Sequence, residues 1–383
     1  MTIVRAGLLY DGTLEPPKHN VDLVIEDGRI NGLRAAAGDA DLQAACVTPG
    51  LVNAHAHLEA SGEPDLMGAF VTTPPNERLL NAAANAAKTL RAGVTTIRDV
   101  GCSNAFAQSI RDAIEAGKIP GPRMRCAGNV LCITGGHGWP IGRAVDSPWD
   151  ARKAVREQRF AGADCIKLIA TGGVLTKGAV PGYAQLTPDE LSAAIDEAHR
   201  HGLRTAAHAI GTEGIKNALR AGIDSIEHGT MLDDEAIALF KERNAYLVPT
   251  LSAPTCILNN LERGEQPQYV VDKARGLNEV MLDNLRRAYD GGVRFAGGSD
   301  AGTPYNYHEN YALEVELMWS LLGMTAQQAL HAATAVAAEL IGLHNGILAV
   351  GEPADMLLLA RDVGEDIRAL QDPRAVLKGG AIV

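Results

Sequence analysis

Through the middle of the chain, apolar positions recur at helical spacing up to a glycine, and a short run of β-branched and aliphatic residues follows at once. The pattern occupies 77–93 before 94–101, 152–164 before 165–173, 187–202 before 203–211, 211–222 before 223–229, and 270–292 before 293–302. A glycine just past a helix end takes the left-handed conformation with no Cβ penalty, so it marks where each helix stops. Thr187-Pro188-Asp189-Glu190 predicts a capping box with proline at the first helical position. Thr325 with Gln328 predicts a second at the head of 326–342.

Helices alternating with short apolar strands predict parallel βαβ units. Strands are expected near 48–55, 94–99, 123–127, 164–169, 203–208, 223–228, 245–249 and 293–298. Eight units over roughly 300 residues favour an α/β fold of the (β/α)8 TIM-like barrel type over a doubly wound sheet. The ends read differently. Residues 1–46 and 346–383 are short strands and turns without a clear amphipathic helix. They are expected to pair as two halves of one small β-sandwich domain, with 47–345 as the barrel.

Composition narrows the partners. A chain of 383 residues buries a sizeable core without a disulfide or metal staple. A hydrophobic content of 46% against 21% charged residues excludes a wholly disordered chain. A net charge of -11 argues against a nucleic-acid-binding face and against docking on anionic lipid. No run approaches the ~18 apolar residues of a membrane span. The opening residues carry one arginine and no apolar stretch of a secretory signal, so a cytoplasmic location is expected. Six cysteines, none in a C-x-x-C pair, are expected as reduced, buried thiols. A homo-oligomer is left open.

Strands of a parallel barrel are buried on both faces, so polar residues at their C-terminal ends are informative: barrel active sites form there. His208 and His228 each lie six residues past a helix-ending glycine, Lys167 five and Asp300 eight. Each offset is about one strand length, so these side chains are expected to converge on one mouth. The first strand adds His55 and His57, whose i, i+2 spacing places both on one face. Such a pair serves either as a metal-binding pair or as a hydrogen-bonded pair in the core.

Lys167 sits inside the apolar run Cys165-Ile166-Lys167-Leu168-Ile169. A bare ammonium is costly to bury. One reading is a lysine snorkelling at a strand tip. The sharper one is an N-carboxylated lysine, whose two oxygens would bridge a pair of divalent ions otherwise held by His55, His57, His208, His228 and Asp300.

At these residues the chain resembles the amidohydrolase superfamily. Thr48-Pro49-Gly50-Leu51-Val52-Asn53-Ala54-His55-Ala56-His57 resembles its opening strand. Ala207-His208-Ala209, Glu227-His228-Gly229 and Gly298-Ser299-Asp300-Ala301-Gly302-Thr303 resemble its strands five, six and eight. Residues 351–359 resemble its returning β segment. Within the superfamily, the resemblance is to the branch of Xaa-Pro dipeptidases, Lys/Arg carboxypeptidases and imidazolonepropionase-related hydrolases. Asp164-Cys165-Ile166-Lys167-Leu168 followed by Ala170-Thr171-Gly172-Gly173-Val174 looks like the dipeptidase side. One departure stands out: Ile210 occupies a position where that branch commonly has a second histidine.

The resemblance implies two divalent ions, zinc being expected, about 3.5–4 Å apart, holding a bridging hydroxide. It assigns His55, His57 and Asp300 to one ion, His208 and His228 to the other, and the carboxylated Lys167 to both. Asp300 would carry the proton from nucleophile to leaving amine. His137, within Gly135-Gly136-His137-Gly138-Trp139, would hold a substrate carbonyl or carboxylate; a plain surface turn is the competing reading. The substrate implied is a small, peptide-like or N-acyl amino acid amide. Lactone, cyclic amide or phosphotriester hydrolysis at the same site, and a silent scaffold, are the rivals. His308 and Arg98 are further pocket candidates. His19, His199, His201, His331 and His344 read as surface or helix residues.

Overall fold

The helices stop where the glycine rhythm predicts. Pro188–Arg200 ends before Gly202, and Thr212–Arg220 ends before Gly222. These two glycines have φ of 70° and 90°, with open space where a Cβ would sit. Backbone conformation, not room, therefore selects glycine there. Both capping boxes form: Thr187 with Glu190, and Thr325 with Gln328.

The computed structural model describes residues 1–383, which fold into seventeen strands and interleaved helices. Near the N-terminus lie β1 (Thr2–Leu9), β2 (Lys18–Glu26), β3 (Arg29–Ala35) and β4 (Leu42–Pro49). The central strands are β5 (Leu51–Ala56), β6 (Val94–Asp99), β7 (Arg123–Cys126), β8 (Val130–Cys132), β9 (Gly142–Ala144), β10 (Cys165–Ile169), β11 (Arg204–Ala209), β12 (Ser225–His228), β13 (Tyr246–Val248) and β14 (Arg294–Phe295). The chain closes with β15 (Met356–Leu359), β16 (Ala375–Lys378) and β17 (Ala381–Ile382).

This is a mixed α/β fold. One parallel seven-stranded sheet runs β14-β13-β12-β11-β10-β8-β9, and a parallel three-stranded sheet runs β5-β6-β7. Backbone bonds join the two. Asp164 N–H donates to the Cys126 carbonyl at 2.8 Å on one side. On the other, Ala54 N–H donates to Gly297 at 2.9 Å and Asp300 N–H to His55 at 2.8 Å. The arrangement is consistent with a TIM-like barrel. Strands form at all eight expected places. The last is shorter than expected because Gly297 N–H leaves the ladder and donates to the Ala332 carbonyl at 2.8 Å. That carbonyl lies in a π-helical turn, Ala332–Val336, which interrupts the helix expected over 326–342. The short strands β8 and β9 follow β7 and were not expected.

The two ends of the chain meet in one mixed sheet, β17-β16-β15-β4-β1-β2-β3. Its centre is β4, parallel to β1 and antiparallel to β15. Because β4 bonds to both halves, the N- and C-terminal strands pair in one continuous sheet, as expected of a β domain built from both ends. A cluster including Val4, Leu23, Ile30, Met356 and Leu377 is packed at this sheet. The largest cluster, 54 residues, packs the central strands and their helices. All six cysteines are buried and unpaired. No helix is long and apolar enough to cross a membrane.

Candidate metal centre

The C-terminal ends of the central strands supply the site. His55 lies within β5 and His57 just past it; Lys167 is at the centre of β10, His208 near the end of β11, and His228 at the end of β12. Asp300 follows β14. These six residues and His137 line one cavity that opens to solvent. The tightest grouping is His55, His228 and Asp300, whose nearest potential ligand atoms all lie within 4.8 Å of one another. His57 joins through Asp300: Nε2 of His55 and Nε2 of His57 are each 3.3 Å from the same carboxylate oxygen. The His208 ring lies 4.6 Å from that of His228, centroid to centroid.

Each histidine spends one ring nitrogen on the protein. Nδ1 of His55 meets Glu227 at 2.7 Å, and Nδ1 of His228 meets the Thr250 hydroxyl at 2.7 Å. Nδ1 of His57 donates to the Gly101 carbonyl at 2.9 Å, and Nε2 of His208 to the Gly172 carbonyl at 3.0 Å. A carbonyl only accepts, so in their neutral forms His57 keeps its lone pair on Nε2 and His208 on Nδ1. Protein partners that orient one nitrogen and free the other are the usual support of metal-binding imidazoles.

Backbone strain marks the same strand ends. His228, Thr250 and Asp300 are non-glycine residues at φ of 71°, 50° and 57°. Such conformations cost about 1–3 kcal/mol each and persist where surrounding bonds hold them. Gly229 N–H donates back to the carbonyls of Ala209 and Glu227, and Asp300 N–H to His55, which does the holding here.

Burial sets the charge states. It pulls the imidazole of His228 down to about 3 and that of His137 to about 4, and holds His208 well below its ordinary value. On His57, burial is outweighed by the Asp300 carboxylate, and the pKa is raised. On Asp300, burial pushes upward, but His55 and His57 prevail and hold the carboxyl well below the usual range. Burial brings Lys167 down to about 8, against the pull of Glu227 and Asp300. Lys167 is 2% exposed, and its Nζ has no hydrogen-bond partner. Four imidazoles, a carboxylate and an orphaned buried amine form a donor set suited to divalent ions.

The other expectations sort themselves. His137 is in the cavity wall, its ring 4.4 Å from that of His208 and its Nδ1 2.9 Å from the Thr176 hydroxyl, so the plain surface turn does not hold. Ile210 lines the cavity as well. Arg98 does not: it is buried beneath the site, donating to the Ala54 carbonyl at 2.6 Å and to Glu227 at 2.9 Å. Nor does His308, whose Nε2 is 2.8 Å from the Ala60 carbonyl. His19, His199, His201 and His344 are exposed and His331 is half-buried. Two supporting residues went unread, Glu227 and Thr250. Glu227 had a signal: a carboxylate within a short predicted barrel strand, next to His228. Thr250 had none.

A loop after β10 closes one side. Val174 and Leu175 line the cavity, as do Ala274 and Leu277 of the helix Gln268–Asp290. Lys273 of that helix donates to the carbonyls of Gly173 at 3.1 Å, Thr176 at 2.7 Å and Ala179 at 2.6 Å.

The model of the amidohydrolase family matches residues 46–383. The chain belongs to the amidohydrolase family. It is similar to ochratoxinase of Aspergillus niger, with 30% identity over 428 aligned positions that cover 100% of this chain and 86% of that protein. Among solved structures it is similar to a Xaa-Pro dipeptidase with methionine bound in the active site. That match has a TM-score of 0.92 and 32% identity, covering 100% of this chain and 99% of the other. A prolidase complexed with N-methylphosphonate-L-proline gives a TM-score of 0.91 and 28% identity, with 100% and 99% covered. Membership in this family makes the chain a hydrolase and supports metal-dependent amide hydrolysis.

Proposed function

We propose that this protein is a binuclear metal-dependent hydrolase that cleaves the amide bond of a small peptide-like or N-acyl amino acid substrate. The observation that carries the reading is Lys167: a buried amine with no partner, in a cavity lined by four imidazoles and a carboxylate. Left as an amine, it keeps an unsatisfied polar group in the core, which costs about 1–3 kcal/mol or more. Carboxylated on Nζ, it becomes a two-oxygen ligand able to bridge two ions. His55, His57 and Asp300 would hold one ion and His208 with His228 the other, zinc fitting imidazole and carboxylate donors.

Bound divalent ions would polarise the scissile carbonyl and make water a competent nucleophile at neutral pH. The chain's own residues do the rest. Asp300, ionised at neutral pH, takes the proton from the attacking water and returns it to the leaving amine nitrogen. His137 donates to the substrate's carbonyl or carboxylate from the loop that follows β8. Residues 47–345 are read as the catalytic domain and as a closed (β/α)8 barrel, supported by the bonds from Gly297 and Asp300 to β5. Residues 1–46 and 346–383 form the accessory β domain.

Elemental analysis of metal-loaded protein, together with ¹³C NMR after labelled bicarbonate, tests the centre. Two ions per chain and a carbamate signal are expected. Lys167→Ala should lose both the carbamate and the activity, and short carboxylic acids should restore part of the activity. One ion and no carbamate would overturn the binuclear reading.

A further inference from the structure

A buried carboxylate outside the cavity is bonded to the backbone beside two strained strand ends of the site. Glu314, on the helix Tyr311–Leu322, is 0% exposed and does not line the cavity. Its two oxygens accept from the backbone N–H groups of Leu251 at 2.8 Å and Ser252 at 2.7 Å. Those two N–H groups open the helix Ser252–Asn259, which has no side-chain cap of its own. A carboxylate there is favoured by the helix dipole and makes two charge-assisted bonds. No cation pairs with it, and burial pushes the carboxyl up to about 7 against the pull of these donors. A glutamine of the same shape would avoid the buried charge, but its amide nitrogen would face one of the N–H groups. Only a side chain that accepts at both atoms satisfies both donors.

The two residues that Glu314 grips stand next to the metal centre. Thr250 directly precedes them, has a φ of 50°, and meets Nδ1 of His228 with its hydroxyl at 2.7 Å. Ser252 donates from Oγ to the Ser299 carbonyl at 2.9 Å. That carbonyl belongs to the peptide that leads into Asp300, which has a φ of 57°. Asn306 donates to the same carbonyl at 2.7 Å, so the path to Asp300 is shared and the path to His228 is not. Neither Thr250 nor Asp300 is a glycine, and a left-handed backbone persists at such residues only where surrounding bonds hold it. Glu314 thus stands behind His228 and Asp300, the ligands assigned above to different ions.

Resting on the metal-centre reading, we infer that Glu314 is a positioning residue for both halves of the centre. By fixing Leu251 and Ser252 it holds His228 through Thr250, and Asp300 through Ser252 and Ser299. It touches neither ion nor substrate itself.

The test compares Glu314→Gln with the wild type, using zinc alone as the probe. Chelator competition should show both stepwise zinc affinities reduced roughly 10- to 100-fold. Ser252→Ala cuts only the shared path to Asp300 and should weaken zinc binding roughly 2- to 10-fold, the value of one hydrogen bond. Combined with Glu314→Gln it should add little, because the serine is already released. In the metal-free protein, ¹⁵N NMR of the histidine rings should show His228 as one tautomer in the wild type and as a mixture of two in Glu314→Gln. A residue that merely caps a helix would lower the denaturation midpoint and leave zinc affinity and tautomer unchanged, and that result overturns the inference. Full additivity of the two substitutions overturns it as well. If the wild type binds fewer than two zinc ions, the binuclear reading fails, and the His228 tautomer decides the inference alone. If Glu314→Gln does not fold, Glu314→Asp takes its place: it keeps the charge but is one methylene too short for both donors, and the same two readouts apply.

Discussion

Glu227 accepts a hydrogen bond from Nδ1 of His55 at 2.7 Å while its other carboxylate oxygen holds Arg98 at 2.9 Å. All three side chains are at most 1% exposed. Burial alone would push the Glu227 carboxyl up, but Arg98, Lys167 and His55 outweigh it and keep the group ionised. The His55 ring is thereby turned so that Nε2 points toward Asp300, at 3.3 Å. Ser225 donates a further bond to Glu227 at 2.6 Å. The site's first histidine is thus positioned by a buried ion pair with no surface in the cavity.

Breaking that pair should cost more than loosening it. Glu227→Gln keeps the shape and loses the charge, and is expected to weaken metal affinity roughly 10- to 100-fold. Arg98→Met leaves an unpaired buried carboxylate and should destabilise the fold by about 3–5 kcal/mol. Chelator competition measures the first, and denaturant unfolding of the metal-free protein the second. Wild-type affinity in Glu227→Gln would show that His55 orients without its partner.

Asp300 is assigned as both ligand and proton carrier. Asp300→Asn preserves its size and removes the basic carboxylate. A loss in kcat of roughly 10²–10⁴-fold is expected, the usual scale for a general acid–base group. Steady-state kinetics at saturating metal checks it. A near-normal kcat would take Asp300 out of the proton path.

His137 lies outside the proposed ligand set, so His137→Ala should leave the metal content intact. One lost hydrogen bond to a charged group is worth ~1.5–3 kcal/mol, so kcat/KM should fall roughly 10- to 150-fold. A substrate with its carboxylate amidated should be almost indifferent to the mutation if the carboxylate is the partner. Equal falls for both substrates would place His137 on the scissile carbonyl instead.

Lys273 ties the loop that carries Val174, Leu175 and Thr176 to the helix Gln268–Asp290, and Thr176 in turn touches His137. Lys273→Met keeps the apolar stem and deletes three donors. Amides 173–179 should exchange faster, and KM should rise roughly 10-fold with kcat and metal content little changed. Hydrogen-exchange mass spectrometry and kinetics read the two effects separately. Unaltered exchange would mean that the loop stands without the clasp.

The order of helices and strands, and the residues at the strand ends, can be read from the amino-acid sequence alone. Helix stops, capping boxes and strand periodicity are local properties, written within a few residues of where they act. That is why His55, His57, Lys167, His208, His228 and Asp300 are legible as one set in the sequence: each lies about one strand past a helix or belongs to the first strand. What supports them depends on contacts between segments far apart in the chain. Glu227 is 172 residues from His55, and nothing local announces that bond. Arg98 reads as a pocket residue from its strand, yet it points under the site because its partner Glu227 is buried there. The orphaned state of the Lys167 amine depends on which groups fail to reach it, and no spacing along the chain encodes an absence. The terminal strands became one sheet because β4 accepts a neighbour on each edge, a pairing settled by where the two ends of a long chain meet in space.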